Sequence, residues 1–176
     1  MKSQKVFAVF GNPIRHSLSP AIHAIFGDDS GIAIKYTAEL VGRKQFERSV
    51  SRFFSADGTG INVTLPFKEE AFQLAAEKTE RAQRARAANT LFLAGESKIG
   101  CDNTDGVGLV RDIKENLGWT IKSKRLLIIG AGGATRGILA SLLNENPEHI
   151  RIVNRTLSRA KSLAQEFCDL GSVFAS

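Results

Sequence analysis

The chain is poor in the residues that build covalent or metal frameworks. Of its 176 residues only two are cysteine, Cys101 and Cys168. They are far apart and have no His or Cys at ligand spacing, so neither a disulfide scaffold nor a zinc site is favoured, and both read as small packing residues. No run of about 18 apolar residues is available to span a bilayer, and the N-terminus lacks the basic, apolar, small-residue order of a secretion signal, so the expected compartment is the cytosol. There is no internal repeat and no low-complexity segment. Tryptophan and tyrosine occur once each, as Trp119 and Tyr36, and neither carries a readable role. An excess of one charge sign is present, with a formal charge of +6 and a pI of about 9.6. Lys and Arg are nevertheless scattered among Asp and Glu with no basic stripe interleaved with aromatics, which argues against nucleic acid or a membrane as partner. A cleft of positive potential that concentrates small phosphates and carboxylates accounts for the charge more simply.

What is present is the composition of a globular chain long enough for one or two domains. Val6 to Phe10 reads as a buried strand, Gly11 to Ser19 as a loop, and Pro20 to Phe26 as a helix with Ser19 as N-cap. Ile32 to Leu40 predicts a second strand, Phe46, Val50, Phe53 and Phe54 a helix, Gly60 to Thr64 a third strand, and Pro66 or Phe67 the start of another helix. Ala88 to Leu93 and Lys98 to Cys101 predict two strands turning at Gly95-Glu96 and giving the sheet an antiparallel member. Asp105 to Leu117 predicts a helix ending at Gly118. The expected fold is α/β: a mostly parallel substrate-binding and catalytic domain over residues 1–118, then an incomplete Rossmann-type dinucleotide domain over 119–176.

The second part carries the most specific signal. Leu126 to Ile129 leads as a strand into Gly130-Ala131-Gly132-Gly133-Ala134, and Ile138, Leu139, Leu142 and Leu143 follow at helical spacing. Glycines at 130 and 132 permit a tight turn and close approach of a pyrophosphate to the helix start. Thr135 stands where a third glycine is usual, and the small Ala134 and Gly137 are expected to let the helix approach the sheet. The next strand ends in Asn154-Arg155-Thr156, with Arg159 close behind, where an NAD site normally has a carboxylate. Guanidinium groups there suit a 2′-phosphate, so NADP is the expected cofactor. The stretch after Arg125 has room for one mononucleotide half, with a stub at Val173-Phe174, and its first strand is expected to keep an unpaired apolar edge.

Four polar clusters lie where predicted strands end, the place ligands bind in open α/β sheets: Asn12 to Pro20 (N-P-I-R-H-S-L-S-P), Asn62 to Lys68 (N-V-T-L-P-F-K), Asn89-Thr90, and Asp102 to Gly106 (D-N-T-D-G). Together with G-A-G-G-A-T-R from Gly130 and N-R-T from Asn154, they resemble the shikimate dehydrogenase family, in order and over the whole chain. The departures are Arg86-Ala87-Ala88, where the family more often has Gly-Ala-Val, and the lack of roughly the last third of the family's length.

The resemblance implies reversible reduction of 3-dehydroshikimate to shikimate with NADPH in aromatic amino-acid biosynthesis, with shikimate between the domains, and it allows a homodimer. It implies Lys68 as acid and base and Asp105 as its orienting neighbour. Desolvation favours the neutral amine and a nearby carboxylate favours the ammonium. Ser17 and Ser19 match the family's carboxylate clamp, and Ser19 is expected to cap a helix as well. Asn62 and Thr64, two apart on a strand, are expected to face one side and bind ring hydroxyls with Asn89, Lys68 and Asp105. The cofactor set is Gly130, Ala131, Gly132, Gly133, Ala134, Asn154, Arg155, Thr156 and Arg159. His16 reads as a loop brace, and His23 and His149 as incidental. Two other readings stay open: a shikimate and quinate dehydrogenase using either cofactor, and an inactive ligand-binding fragment.

Overall fold

The computed structural model describes residues 4–95 and 98–176. The chain divides into two units: the residues through Thr79 with Ala87–Asp102, and Glu80–Arg86 with Asn103–Ser176.

In the first unit, β1 (Lys5–Gly11), α1 (Ser19–Ser30), β2 (Ile34–Leu40), α2 (Phe46–Ser55), β3 (Gly60–Val63), α3 (Lys68–Leu74) and β4 (Glu77–Lys78) are followed, after an excursion into the other unit, by β5 (Thr90–Ala94) and β6 (Lys98–Asp102). The sheet order is β2-β1-β3-β5-β6-β4. β1 pairs in parallel with β2 and β3, while β5 runs antiparallel to β3 and β6. Of the expected turn at Gly95-Glu96, Gly95 has φ +71 and Glu96 lies outside the described residues.

Alternation along the strands gives the sheet two chemically different faces. Ala8, Phe10, Ile61, Val63, Leu91 and Cys101 are buried on one. Phe10 meets Phe53 edge-on at 5.8 Å, and Phe46 stacks on Phe67 at 4.9 Å. Each such ring taken fully out of water contributes about 1.5–3 kcal/mol. By register, Tyr36, Asn62, Thr90 and Asp102 belong to the opposite face, since Tyr36 lies across from Phe7, Asn62 from Val9 and Thr90, and Thr90 from Asp102.

The second unit contains α4 (Glu80–Ala85), α5 (Asp105–Arg111) continuing as one π-helical turn over Asp112–Asn116, β7 (Arg125–Ile129), α6 (Gly133–Asn144), β8 (His149–Val153), α7 (Leu157–Glu166) and β9 (Val173–Ala175). Its three strands are parallel in the order β7-β8-β9. Leu139, Leu142 and Leu143 of α6 and Ala160 and Leu163 of α7, with Phe167 just beyond it, bury one side of the sheet with Ile150 and Ile152. On the other side Leu127 and Ile129 are 62% and 84% exposed, so the expected apolar edge strand is β7.

Glycine lets segments of the second unit pack closely. A Cβ on Gly106 would lie 2.4 Å from Ser141 Oγ, so α5 rests directly on α6. A Cβ on Gly137 would lie 3.3 Å from Asn103 Nδ2 and 3.4 Å from Asp105 Oδ2. Gly137 therefore admits the Asn103–Asp105 segment rather than bringing α6 toward the sheet.

Two short elements, β4 and α4, have no counterpart in the sequence reading. α4 is held by ion pairs: Arg84 to Asp169 at 2.7 Å and Arg86, just past the helix, to Glu166 at 3.3 Å, with Arg136 on the same Glu166 at 2.5 Å. Arg86 has φ +47. That left-handed conformation suits the glycine the family more often has there, and a Cβ makes it cost about 1–2 kcal/mol. Cys168, expected as a packing residue, is exposed, whereas Cys101 is buried.

Candidate active site

In the first unit the loops leaving β1 and β3 are locked together. Gly11 has no room for a side chain, since a Cβ would stand 2.5 Å from Thr64 Cγ2 and 2.9 Å from Ile14 Cδ1. Asn12 donates its backbone N–H to the Leu65 carbonyl at 2.9 Å and its side-chain amide to the Val41 carbonyl at 3.0 Å. Asn12 is thus a brace between loops. The hollow so formed, about 280 Å³, is lined by Ser17, Ser19, Thr64, Arg15, His16 and Ile14 among others. Two hydroxyl donors beside an arginine suit a carboxylate. His16 is exposed on its rim.

Ser19 is not the cap of α1. Leu18 occupies that position, Ser19 is the first helical residue and Pro20 the second. The hydroxyl of Ser17, not that of Ser19, takes a backbone donor, accepting the Ser19 N–H at 3.3 Å. Because the helix starts one residue earlier than Pro20, the Ser19 side chain is released from capping. His23, expected to be incidental, stacks on the Tyr36 ring with centroids 4.1 Å apart and donates Nδ1–H to the Ser19 carbonyl at 2.9 Å.

Asn62 and Thr64 are separated more than strand alternation suggests, because β3 ends at Val63. Thr64 lines the serine hollow, whereas Asn62 lines a neighbouring one of about 240 Å³ with His23, Tyr36 and Thr90. The Tyr36 hydroxyl donates to Asn62 Oδ1 at 2.7 Å, and Asn62 Nδ2 lies 3.4 Å from the Asn89 carbonyl and 3.5 Å from Thr90 Oγ1. Thr90 in turn donates to Asn89 Oδ1 at 2.9 Å. Burial pushes the Tyr36 phenol up to about 12, against the Ser19 hydrogen bond, which pulls it down. Nothing in local sequence signals this role for Tyr36.

Lys68, half-buried, opens α3 in the first unit, and its carbonyl accepts the Ala88 N–H at 2.8 Å, which anchors the approach to Asn89. Asp105 opens α5 in the second unit, where its backbone N–H donates to Asn103 Oδ1 at 3.1 Å. Asn103 is itself 2% exposed.

The glycine turn has the predicted form. Gly130 has φ +110, open only to a residue without Cβ, and Gly132 is the extended residue before α6. A Cβ built on Gly130, Gly132 or Gly133 meets nothing within 4 Å, so the backbone amides at the start of α6 face open space. Thr135, in place of the third glycine, is buried and donates its hydroxyl to the Gly130 carbonyl at 2.7 Å, which ties the turn down from inside. Asn154 spans the two loops: its Oδ1 accepts the Ala131 N–H at 3.1 Å and its Nδ2 donates to the Thr156 carbonyl at 2.8 Å. Ala134, Arg155, Thr156 and Arg159 are exposed around it. These residues fit a pyrophosphate on the helix start and an anion near the two arginines. Among the described residues no group of His, Cys, Asp and Glu could hold a metal, and no helix is long and apolar enough to cross a membrane.

Comparison with known proteins agrees with this geometry. Residues 9–91 match the family model for the shikimate dehydrogenase substrate binding domain, and residues 111–173 that for shikimate / quinate 5-dehydrogenase. The shikimate dehydrogenase (NADP(+)) of Methylococcus capsulatus strain Bath is 52% identical over 167 residues, 95% of this chain and 60% of the relative. An Ael1 enzyme from Pseudomonas putida superposes with a TM-score of 0.90 at 42% identity, over 96% of this chain and 62% of that one. Shikimate 5-dehydrogenase from Thermus thermophilus, solved in complex with NADP(H) and shikimate, gives 0.86 at 34% identity, over 96% and 62%. The chain spans about 60% of the length of the curated relatives it matches.

Proposed function

This chain belongs to the shikimate dehydrogenase family, and from that premise we propose that it carries the substrate clamp and the phosphate-binding start of an NADP-dependent dehydrogenase interconverting 3-dehydroshikimate and shikimate. Ser17 and Ser19 donate to the ring carboxylate, with Arg15 adding charge. Asn62, Thr64 and Asn89 take the ring hydroxyls. Lys68 gives a proton to the carbonyl oxygen as it becomes an alkoxide and takes it back in the reverse direction, while Asp105 orients the ammonium and accepts from a ring hydroxyl. The bound nicotinamide supplies the hydride to the carbonyl carbon. Gly130, Ala131, Gly132, Gly133 and Ala134 receive the pyrophosphate on their amides, and Arg155 and Arg159 hold the 2′-phosphate, with Asn154 and Thr156 shaping that loop.

The observation that carries this reading is the first unit's gathering of Ser17, Ser19 and Thr64 around one hollow, beside the hydrogen-bonded row of Tyr36, Asn62 and Asn89. The match to the NADP(+)-dependent relatives supports the cofactor, as do the two arginines at the end of β8. A cytosolic homodimer completes the proposal, with light scattering and cell fractionation as its tests. The function itself is tested by calorimetric titration of the 176-residue polypeptide with shikimate, NADP+ and NAD+. Shikimate binding, and NADP+ binding tighter than NAD+, is the expected result. A folded chain that ignores shikimate, or prefers NAD+, overturns it.

A further inference from the structure

Two of the residues assigned above to substrate, Asn62 and Asn89, are bonded by two residues with no assigned part, Tyr36 and Thr90. A phenol has one proton to donate, and its oxygen can accept. The phenol proton goes to Asn62 Oδ1 at 2.7 Å. With its oxygen so occupied, the Asn62 amide must present its nitrogen to the other side, toward Thr90 Oγ1 at 3.5 Å and the Asn89 carbonyl at 3.4 Å. Thr90, having accepted there, sends its proton to Asn89 Oδ1 at 2.9 Å.

We infer that Tyr36, Asn62, Thr90 and Asn89 form one directed hydrogen-bond chain across the polar face of the first sheet, and that Tyr36 and Thr90 are positioning residues which fix the amide orientation of Asn62 and Asn89 before substrate arrives. This rests on the reading of that face as the substrate site. Every bond runs donor to acceptor in the same sense, so each strengthens the next, and reversing one member would leave two oxygens or two N–H groups facing each other. The ring of Tyr36 is held in place by the stacked His23 and cannot swing away to release Asn62.

The experiment is shikimate titration of the 176-residue polypeptide and its variants by calorimetry, with NADP+ titration as the control for folding and two-dimensional NMR of the side-chain amides. Tyr36→Phe and Thr90→Val each weaken shikimate by roughly five- to thirtyfold, one hydrogen-bonded position's worth, while NADP+ affinity stays within about twofold. Thr90→Ser, which keeps the hydroxyl, restores binding to within about threefold of the parent, a recovery that a purely packing role for the threonine would not produce. Without ligand, Tyr36→Phe moves the amide resonances of both Asn62 and Asn89, although only Asn62 touches the phenol. Parent-like shikimate affinity in Tyr36→Phe and Thr90→Val, alongside weakening in Asn62→Ala, overturns the positioning role and leaves the function standing. A folded parent that does not bind shikimate overturns the function instead, and the amide resonances then decide the chain by themselves: an Asn89 signal indifferent to Tyr36→Phe refutes it.

Discussion

Replacing Asn154 by aspartate changes one atom and separates the two jobs of that side chain. Its oxygen still accepts the Ala131 N–H, held at 3.1 Å in the parent. The nitrogen that donates to the Thr156 carbonyl at 2.8 Å becomes a second carboxylate oxygen. An exposed hydrogen bond worth about 1 kcal/mol is lost, and two oxygens now face each other, which adds about as much again, for a total of about 2 kcal/mol. In a chain of this size that is a melting temperature lower by roughly 4–8 °C. The new charge also stands in the loop that carries Arg155. An additional anion a few ångströms from a 2′-phosphate in a solvent-like medium opposes it by about 1 kcal/mol, so NADP+ weakens roughly five- to tenfold. NAD+ has no 2′-phosphate and weakens less. The assay is paired: a thermal melt, and titrations with both dinucleotides. An Asn154→Asp chain that melts within about 1 °C of the parent and keeps its NADP+ to NAD+ ratio would refute the brace described for this loop.

The remaining predictions are of the same kind. Arg86→Gly and Arg86→Ala both remove the ion pair to Glu166, but only glycine relaxes the left-handed backbone at φ +47, so the glycine variant melts above the alanine variant by the equivalent of about 1 kcal/mol. Equal melting temperatures would mean that the strain is absent. Arg155→Glu weakens NADP+ by roughly tenfold or more through loss of a charge-assisted contact, and lowers NAD+ affinity far less; an unchanged ratio would exclude Arg155 from the phosphate site. Tyr36 is the only tyrosine, so absorbance near the tyrosinate band reports it alone. With the folded phenol pushed up from 10.0 to about 12, its contribution to stability is complete below pH 10 and is lost as pH rises through the folded value. Ionisation of the native chain near its ordinary value would contradict the burial of that ring.

How much of this was legible in the sequence depends on how local each signal is. The turn at Gly130 could be read because a strand, two glycines and a helical run adjoin in sequence and one residue alone tolerates φ +110. The serine hollow was legible as a cluster, though the cap was misassigned by one residue: Ser at a helix start is ambiguous between cap and first turn when Pro follows at either position. Tyr36 was not legible. Its partner Asn62 is 26 residues away on a strand that is not its neighbour in the sheet, and the contact exists because the β1 register sets Phe7 opposite Tyr36 and Val9 opposite Asn62. α4 and β4 escaped for another reason, since two- and six-residue elements are too short to show a period. The close packing at Gly106 and Gly137 was not legible, since it depends on their facing Ser141 and Asn103 in the fold. Asn12 and Asn154 stood out as motif members, and their side chains prove to hold loops together.

The central claim is that the first unit grips a polyhydroxylated ring acid with residues from three loops and one sheet face. Backbone amide shifts of the isotopically labelled 176-residue chain, followed while shikimate is added, test it most directly. The account predicts saturable shifts confined to residues 12–20, 60–68, 88–90, Tyr36 and the segment around Asp105, lost when Ser19 is changed to alanine. Shifts spread over β7 to β9, or none at all in a folded chain, would contradict it.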